Sequence, residues 1–214
     1  MSPHDFYQKH TRLTRSLKEF ISEQQRNFSE DIFENFLDSL SEELRRIKAL
    51  LFEVPAGPMR AKNVQALVDL ESSQETDISA SCTKGCSHCC HLEVEITNYE
   101  ATILNEIIAG GFRIDRDQLA RQRQRPLLDP AWRNLQLKAQ NRCVFLDPNN
   151  ACGIYEDRPV MCRRHSVTSA PKHCETHDEM ITLRYFPRVD LILSAANEDP
   201  ELRVGPLAKM IVSD

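Results

Sequence analysis

Thiols are the side chains whose number and spacing in this chain could do chemistry. All eight cysteines of the 214-residue sequence fall between positions 82 and 174: Cys82, Cys86, Cys89, Cys90, Cys143, Cys152, Cys162 and Cys174. The first four stand within nine residues, in the string CTKGCSHCC. A thiolate is a soft ligand for zinc, iron and iron–sulfur clusters. Closely spaced cysteines form the local half of such a site, and distant ligands close it. Here the distant half would come from Cys143, Cys152, Cys162 and Cys174, so all eight are candidate metal ligands. A disulfide framework needs an oxidising compartment, and unrelated buried thiols do not gather four in nine residues. Metal binding is therefore the favoured reading.

Adjacent Cys89 and Cys90 are expected to diverge, because neighbouring side chains point apart in both strand and helix. Either one binds metal while the other packs, or they serve two centres. His88, His91, His165 and His173 flank the cysteines and are candidate nitrogen ligands or supporting residues. Cys174 and His177 form a C-x2-H step that could close a second site. Arg163 and Arg164 adjoin Cys162 and could offset thiolate charge or hold an anion; the alternative for Arg158 and Arg163 is structural pairing with nearby acids or carbonyls. Trp132, Phe145 and Tyr155 read as packing residues.

The elements that must position these thiols follow from periodicity and caps. In the cysteine-free residues 1–80, Ile32, Phe36, Leu40, Leu44, Ile47 and Leu51 recur at helical spacing. Ser29 is the expected N-cap, and Pro55, Gly57 and Pro58 end the helix. One helix over roughly 6–25 and another over 60–72 complete a helical arm. Past the cysteine string, Leu92–Ile96 alternates as a short strand. Thr97 and Glu100 form a capping box for a helix that Gly110 and Gly111 end. Asp115–Arg125 reads as a basic helix. Residues 143–155 read as a β-hairpin turning at Asp147–Asn150. The fold class expected is α+β, mostly α-helical: a helical arm (1–80), a Cys/His metal-binding core (81–177) carrying the hairpin, and a helical tail (178–214).

Composition excludes several functions. With six glycines and no Gly-rich phosphate loop, nucleotide-loop enzymes are disfavoured. The net charge of −5 and pI near 5.8 argue against general nucleic-acid binding. No run approaches the ~18 apolar residues of a membrane span, and no apolar leader is visible, so a cytoplasmic protein is expected. Only residues 81–177 are net positive, at +2, the sign that thiolates would require.

The pattern as a whole resembles the CxxCxxCC zinc- or iron-chelating family of YkgJ type. The residues that carry it are the Cys82–Cys90 cluster, the V-x-I-T-x-x-E segment (Val94, Ile96, Thr97, Glu100), C-x-F-L at Cys143–Leu146, C-x-I-Y at Cys152–Tyr155, and R-P-x-x-C-R at Arg158–Arg163. This chain has three residues, not two, between Cys82 and Cys86, which weakens Cys82 as a ligand. The resemblance implies a cofactor of zinc or iron, mononuclear or as an iron–sulfur cluster. It implies no reaction, although flagellin lysine N-methylase carries a similar motif. A metal-dependent enzyme, whether oxidoreductase or protein lysine N-methylase-like, is therefore one alternative. A metal-stabilised interaction module is another, with the N-terminal helices serving a homodimer or a protein partner. The C-x3-C-x2-C spacing of Cys82, Cys86 and Cys89 is shared with radical S-adenosylmethionine enzymes, but the chain lacks the run of βα units those enzymes need.

Overall fold

The computed structural model describes residues 1–74, 80–176 and 180–212. The chain forms two compact units, one of residues 1–73 and 186–202 and the other of 74–185 and 203–214. It is mostly helical, with one small antiparallel sheet. Among the described residues, no helix is long and apolar enough to cross a membrane.

The first unit contains α1 (Pro3–Lys9), α2 (Arg15–Asn27), α3 (Glu30–Phe52), α4 (Pro58–Ser73) and α10 (Pro187–Asn197). The single helix expected over 6–25 is broken into α1 and α2. Thr14 explains the break: its side chain caps α2 by accepting from the Leu17 amide at 3.2 Å and donates to Asp190 on α10 at 2.8 Å. The apolar stripe of α3 is also shifted at its start. Phe33 and Leu37 are buried with Leu40, Leu44, Ile47 and Leu51, while Ile32 is exposed. Phe36 instead joins a ring cluster with Phe20, Phe28 and Phe33. Ser29 is the N-cap by backbone conformation but makes no side-chain cap bond. α10 packs on α2, α3 and α4.

Ion pairs close the polar parts of this unit. Buried Arg60 pairs with buried Asp199 and donates to the Val54 carbonyl. Lys48 meets Glu198 at 2.6 Å, and His10 lies between Glu198 and Ser41.

The second unit is built of short pieces: β1 (Glu95–Thr97), α5 (Asn98–Ala109), α6 (Arg116–Arg123), α7 (Lys138–Asn141), α8 (Val160–Arg164), α9 (Pro171–Thr176), β2 (Val204–Pro206) and α11 (Leu207–Met210). β1 and β2 pair with Ile96 opposite Gly205. The capping box of α5 is present, with Thr97 and Glu100 each satisfying the other's backbone amide. Ile96, Leu104, Leu119, Val144, Phe145, Ile154, Leu207 and Ile211 form the core. Residues 186–202 of the expected tail thus lie in the first unit and 203–214 in the second.

The hairpin expected at 143–155 forms only as a tight turn. Asp147 accepts from the amides of Asn149 and Ala151, both at 2.8 Å, and a single bridge joins Leu146 to Cys152. Strand pairing stops there because Tyr155–Asp157 turns into a 3-10 helix as Ile154 enters the core beside Phe145. The close approach needs Gly153: a Cβ there would lie 2.6 Å from the Phe112 ring. The sheet is made instead by β1 with the distant β2.

Candidate metal centre

Each cysteine motif couples a thiol to an apolar anchor. In C-x-F-L and C-x-I-Y, Phe145, Leu146 and Ile154 are buried in the second unit. Burying these side chains fixes the backbone that carries Cys143 and Cys152. Asp147 and Arg142 brace the same turn, Arg142 donating to the carbonyls of Leu146, at 2.9 Å, and of Asp147. The Cys143 amide donates to the Cys90 carbonyl at 2.8 Å, tying this turn to the N-terminal cysteine string.

The string itself is a loop followed by a 3-10 turn over His88–His91 that carries Cys89 and Cys90. Gly85 makes the loop possible with φ +95°, in the left-handed region that glycine enters without strain. Cys162 lies on α8, whose first free amide, that of Val160, donates to Glu100 at 2.6 Å. Glu100 therefore caps α5 with one oxygen and holds the start of α8 with the other.

Cys89, Cys143, Cys152 and Cys162 come together: Cys162 feels the charge of the other three, Cys143 that of Cys89 and Cys152, and Cys152 that of Cys89. Their shared environment disfavours ionisation. The hydrogen bond that the Cys89 thiol donates to Cys90, followed by burial, pushes Cys89 far up. Burial pushes Cys143 up to about 11, raises Cys152, and raises Cys162 strongly with help from the neighbouring thiols and Glu100. Buried thiols that repel one another's negative charge stay protonated until a cation compensates them.

The opposing positive charge comes from Arg158, acting on Cys89 and Cys152, and from Arg142, acting on Cys143. Arg158 stacks on Tyr155 at 4.2 Å, and its buried Nε has no acceptor. Arg163 is used differently, donating to the carbonyls of Arg158, at 2.8 Å, and Glu156, at 2.5 Å. Arg158 was legible as part of the R-P-x-x-C-R motif, but its side of the cluster was not. Glu100, legible as a cap, gave no sign of its reach to α8.

Cys89 and Cys90 do not diverge as expected. The tight 3-10 turn leaves their thiols within hydrogen-bonding reach. Cys82 accepts from the Val167 amide at 3.4 Å. Cys86 sits in the turn closed by its own amide to the Thr83 carbonyl. Cys174 is on α9, which packs against the turn of Cys89 and Cys90. None of the eight is in a disulfide, and each has part of its residue surface exposed. Buried His91 bonds the Ser87 carbonyl through Nδ1 at 3.1 Å. Burial lowers both His91 and His165, with Arg164 adding to the effect on His165. His173 lies on α9, and His177 lies outside the described residues.

As the side chains stand, no three His, Cys, Asp or Glu residues among those described converge closely enough to hold an ion. The donor chemistry nonetheless fits a thiophilic metal: four mutually repelling thiols, three of them under the charge of Arg158 or Arg142, are carried on a backbone pinned by buried side chains.

A family model named CxxCxxCC, described as "Putative zinc- or iron-chelating domain", matches residues 81–182. Comparison with curated proteins finds no match, and neither does comparison with solved structures.

Proposed function

Since residues 81–182 form a domain of the CxxCxxCC family, zinc- or iron-chelating by description, we propose that the chain holds a single metal centre through Cys89, Cys143, Cys152 and Cys162. The observation that carries this reading is the grouping of these four thiols, every pair of which is within electrostatic reach. Four sulfurs saturate a tetrahedral zinc or iron ion or one iron–sulfur cluster, and saturation by protein ligands is the mark of a structural site.

A divalent ion with four thiolates carries a net charge of about −2, which a buried site must offset. Arg158 and Arg142 supply that charge, and the unpaired Nε of Arg158 is a donor for a ligating sulfur. Such bonds orient and tune metal ligands. Cys90 supports Cys89 from the same turn, while Cys82, Cys86 and Cys174 lie outside the ligand set.

Elemental analysis and visible absorption of anaerobically purified protein test the reading. One metal per chain is expected. Cys162→Ser or Cys152→Ser should lose it, whereas Cys82→Ser and Cys174→Ser should retain it. A metal-free wild-type chain, or loss of metal in Cys82→Ser but not in Cys162→Ser, would contradict the assignment.

A further inference from the structure

The 3-10 turn over His88–His91 is pinned by backbone bonds on every side. The Cys90 amide donates to the Ser87 carbonyl at 3.0 Å, the Leu92 amide to the Cys89 carbonyl at 3.1 Å, and the Cys143 amide to the Cys90 carbonyl at 2.8 Å. A turn so held keeps two neighbouring thiols in contact, with that of Cys89 donating to the sulfur of Cys90. The two differ in use. Cys89 belongs to the four-thiol group, whereas Cys90 stands outside it and is partly exposed.

Thiols in contact can be joined. Adjacent Cα atoms lie about 3.8 Å apart across a trans peptide, whereas ordinary disulfides hold theirs about 4.4–6.8 Å apart. A disulfide between neighbours is therefore strained, and strain makes it easy to reduce again. Oxidation favours an accessible cysteine with a second thiol beside it to resolve the first product. Metal binding keeps a cysteine ligand as its thiolate, the form that resolves.

We propose that Cys89 and Cys90 are a reversible redox switch on the metal centre: a peroxide joins them in a disulfide that withdraws Cys89 from the ligand set, and a small thiol restores it. The switch rests on the four-thiol reading above. The Cys90 sulfur attacks one oxygen of hydrogen peroxide, the O–O bond breaks, and the thiol proton goes to the other oxygen, which leaves as water. Cys90 is then a sulfenic acid. The Cys89 thiolate attacks the Cys90 sulfur; the S–S bond forms, the S–O bond breaks, and the departing hydroxide takes a proton from solvent. Each sulfur has lost one electron, and the peroxide has taken both. Two molecules of a small thiol reverse the step and leave as their own disulfide. With Cys89 withdrawn three thiols remain, too few to saturate a tetrahedral ion. Cys174 is the competing partner for Cys90, because α9 packs on the same turn.

The test treats protein as purified, with its metal measured, with one equivalent of hydrogen peroxide beside a colorimetric chelator. Free thiols are then alkylated and the peptides sequenced by mass spectrometry. Cys89 and Cys90 should escape alkylation together, joined to each other, as metal passes to the chelator, and dithiothreitol should restore both thiols. Cys90→Ser should hold as much metal as wild type before oxidation. Its release on peroxide should slow by about tenfold, the scale on which groups that support metal ligands act. Release from Cys90→Ser as fast as from wild type would overturn the proposal, as would a disulfide from Cys90 to Cys174 in place of the neighbour pair. A wild-type chain without metal would remove the four-thiol reading and the switch with it. A metal-bearing chain whose two thiols stay reduced would remove the switch alone.

Discussion

The two units reach stability by different means. The first is made of long helices, α3 alone running 23 residues, and buries Leu17, Ile21, Leu37, Leu51 and Val68 almost completely. Its interior holds an ion pair, Arg60 with Asp199. Among its described residues the second has no helix longer than the 12 residues of α5 and a two-stranded sheet of three residues per strand. It ends instead in a group of thiols that repel one another when ionised. Apolar burial grows with the length of the packed faces, so short elements need another source of cohesion. A metal held as proposed above, by residues far apart in sequence, would supply it.

The largest expected effect separates the units directly. Binding of structural zinc is worth about 10–16 kcal/mol in small domains, against a total domain stability of about 5–15 kcal/mol. Removing the metal with a chelator should therefore unfold the second unit while α2, α3, α4 and α10 keep their amide protection. Hydrogen exchange resolved by segment measures this, and equal loss of protection in both units would erase the contrast.

A smaller effect should appear in the first unit alone. Arg60→Ala removes the guanidinium from the buried Asp199 carboxylate, which should cost about 3–5 kcal/mol. Urea unfolding of the helices should show it with metal content unchanged. A loss under 1 kcal/mol would mean that the ion pair adds little to this unit beyond its apolar packing.

The smallest expected effect is a pH dependence. Burial, opposed by the Glu198 bond, holds His10 below its ordinary 6.5. As pH falls through 6.5 the unfolded chain takes up a proton that the folded chain refuses, so stability declines toward acid. Burial pushes Glu198 up, but its bonds from Lys48 and His10 outweigh this and hold it below 4.5; its contribution is lost only at lower pH. Urea unfolding of the first unit between pH 7.5 and 5.5 should weaken on acidification, and His10→Gln should flatten that slope. An unchanged slope would assign the dependence elsewhere.

Much of the fold was legible along the chain because local rules govern it. The Thr97–Glu100 capping box, the heart of the α3 stripe and the Asp147–Asn150 turn each depend on residues within a few positions of one another. The misreadings arose where a distant contact prevailed. Thr14 breaks the first helix because it meets Asp190, and the 143–155 turn stops pairing because Phe145 and Ile154 must both enter the core.

The amino-acid sequence by itself determined where the thiols cluster, which motif segments carry them, and that such donors are suited to zinc or iron. Only the tertiary structure decided that Cys89 groups with Cys143, Cys152 and Cys162 while Cys82 turns toward Val167. Tertiary structure also decided that the charge of Arg158 acts on Cys89 and Cys152, and that adjacent Cys89 and Cys90 meet. Spacing reports what one turn of backbone can reach. Which side chains converge across seventy residues depends on long-range bonds such as the Cys143 amide to the Cys90 carbonyl, and on which apolar neighbours of each cysteine are drawn into the core.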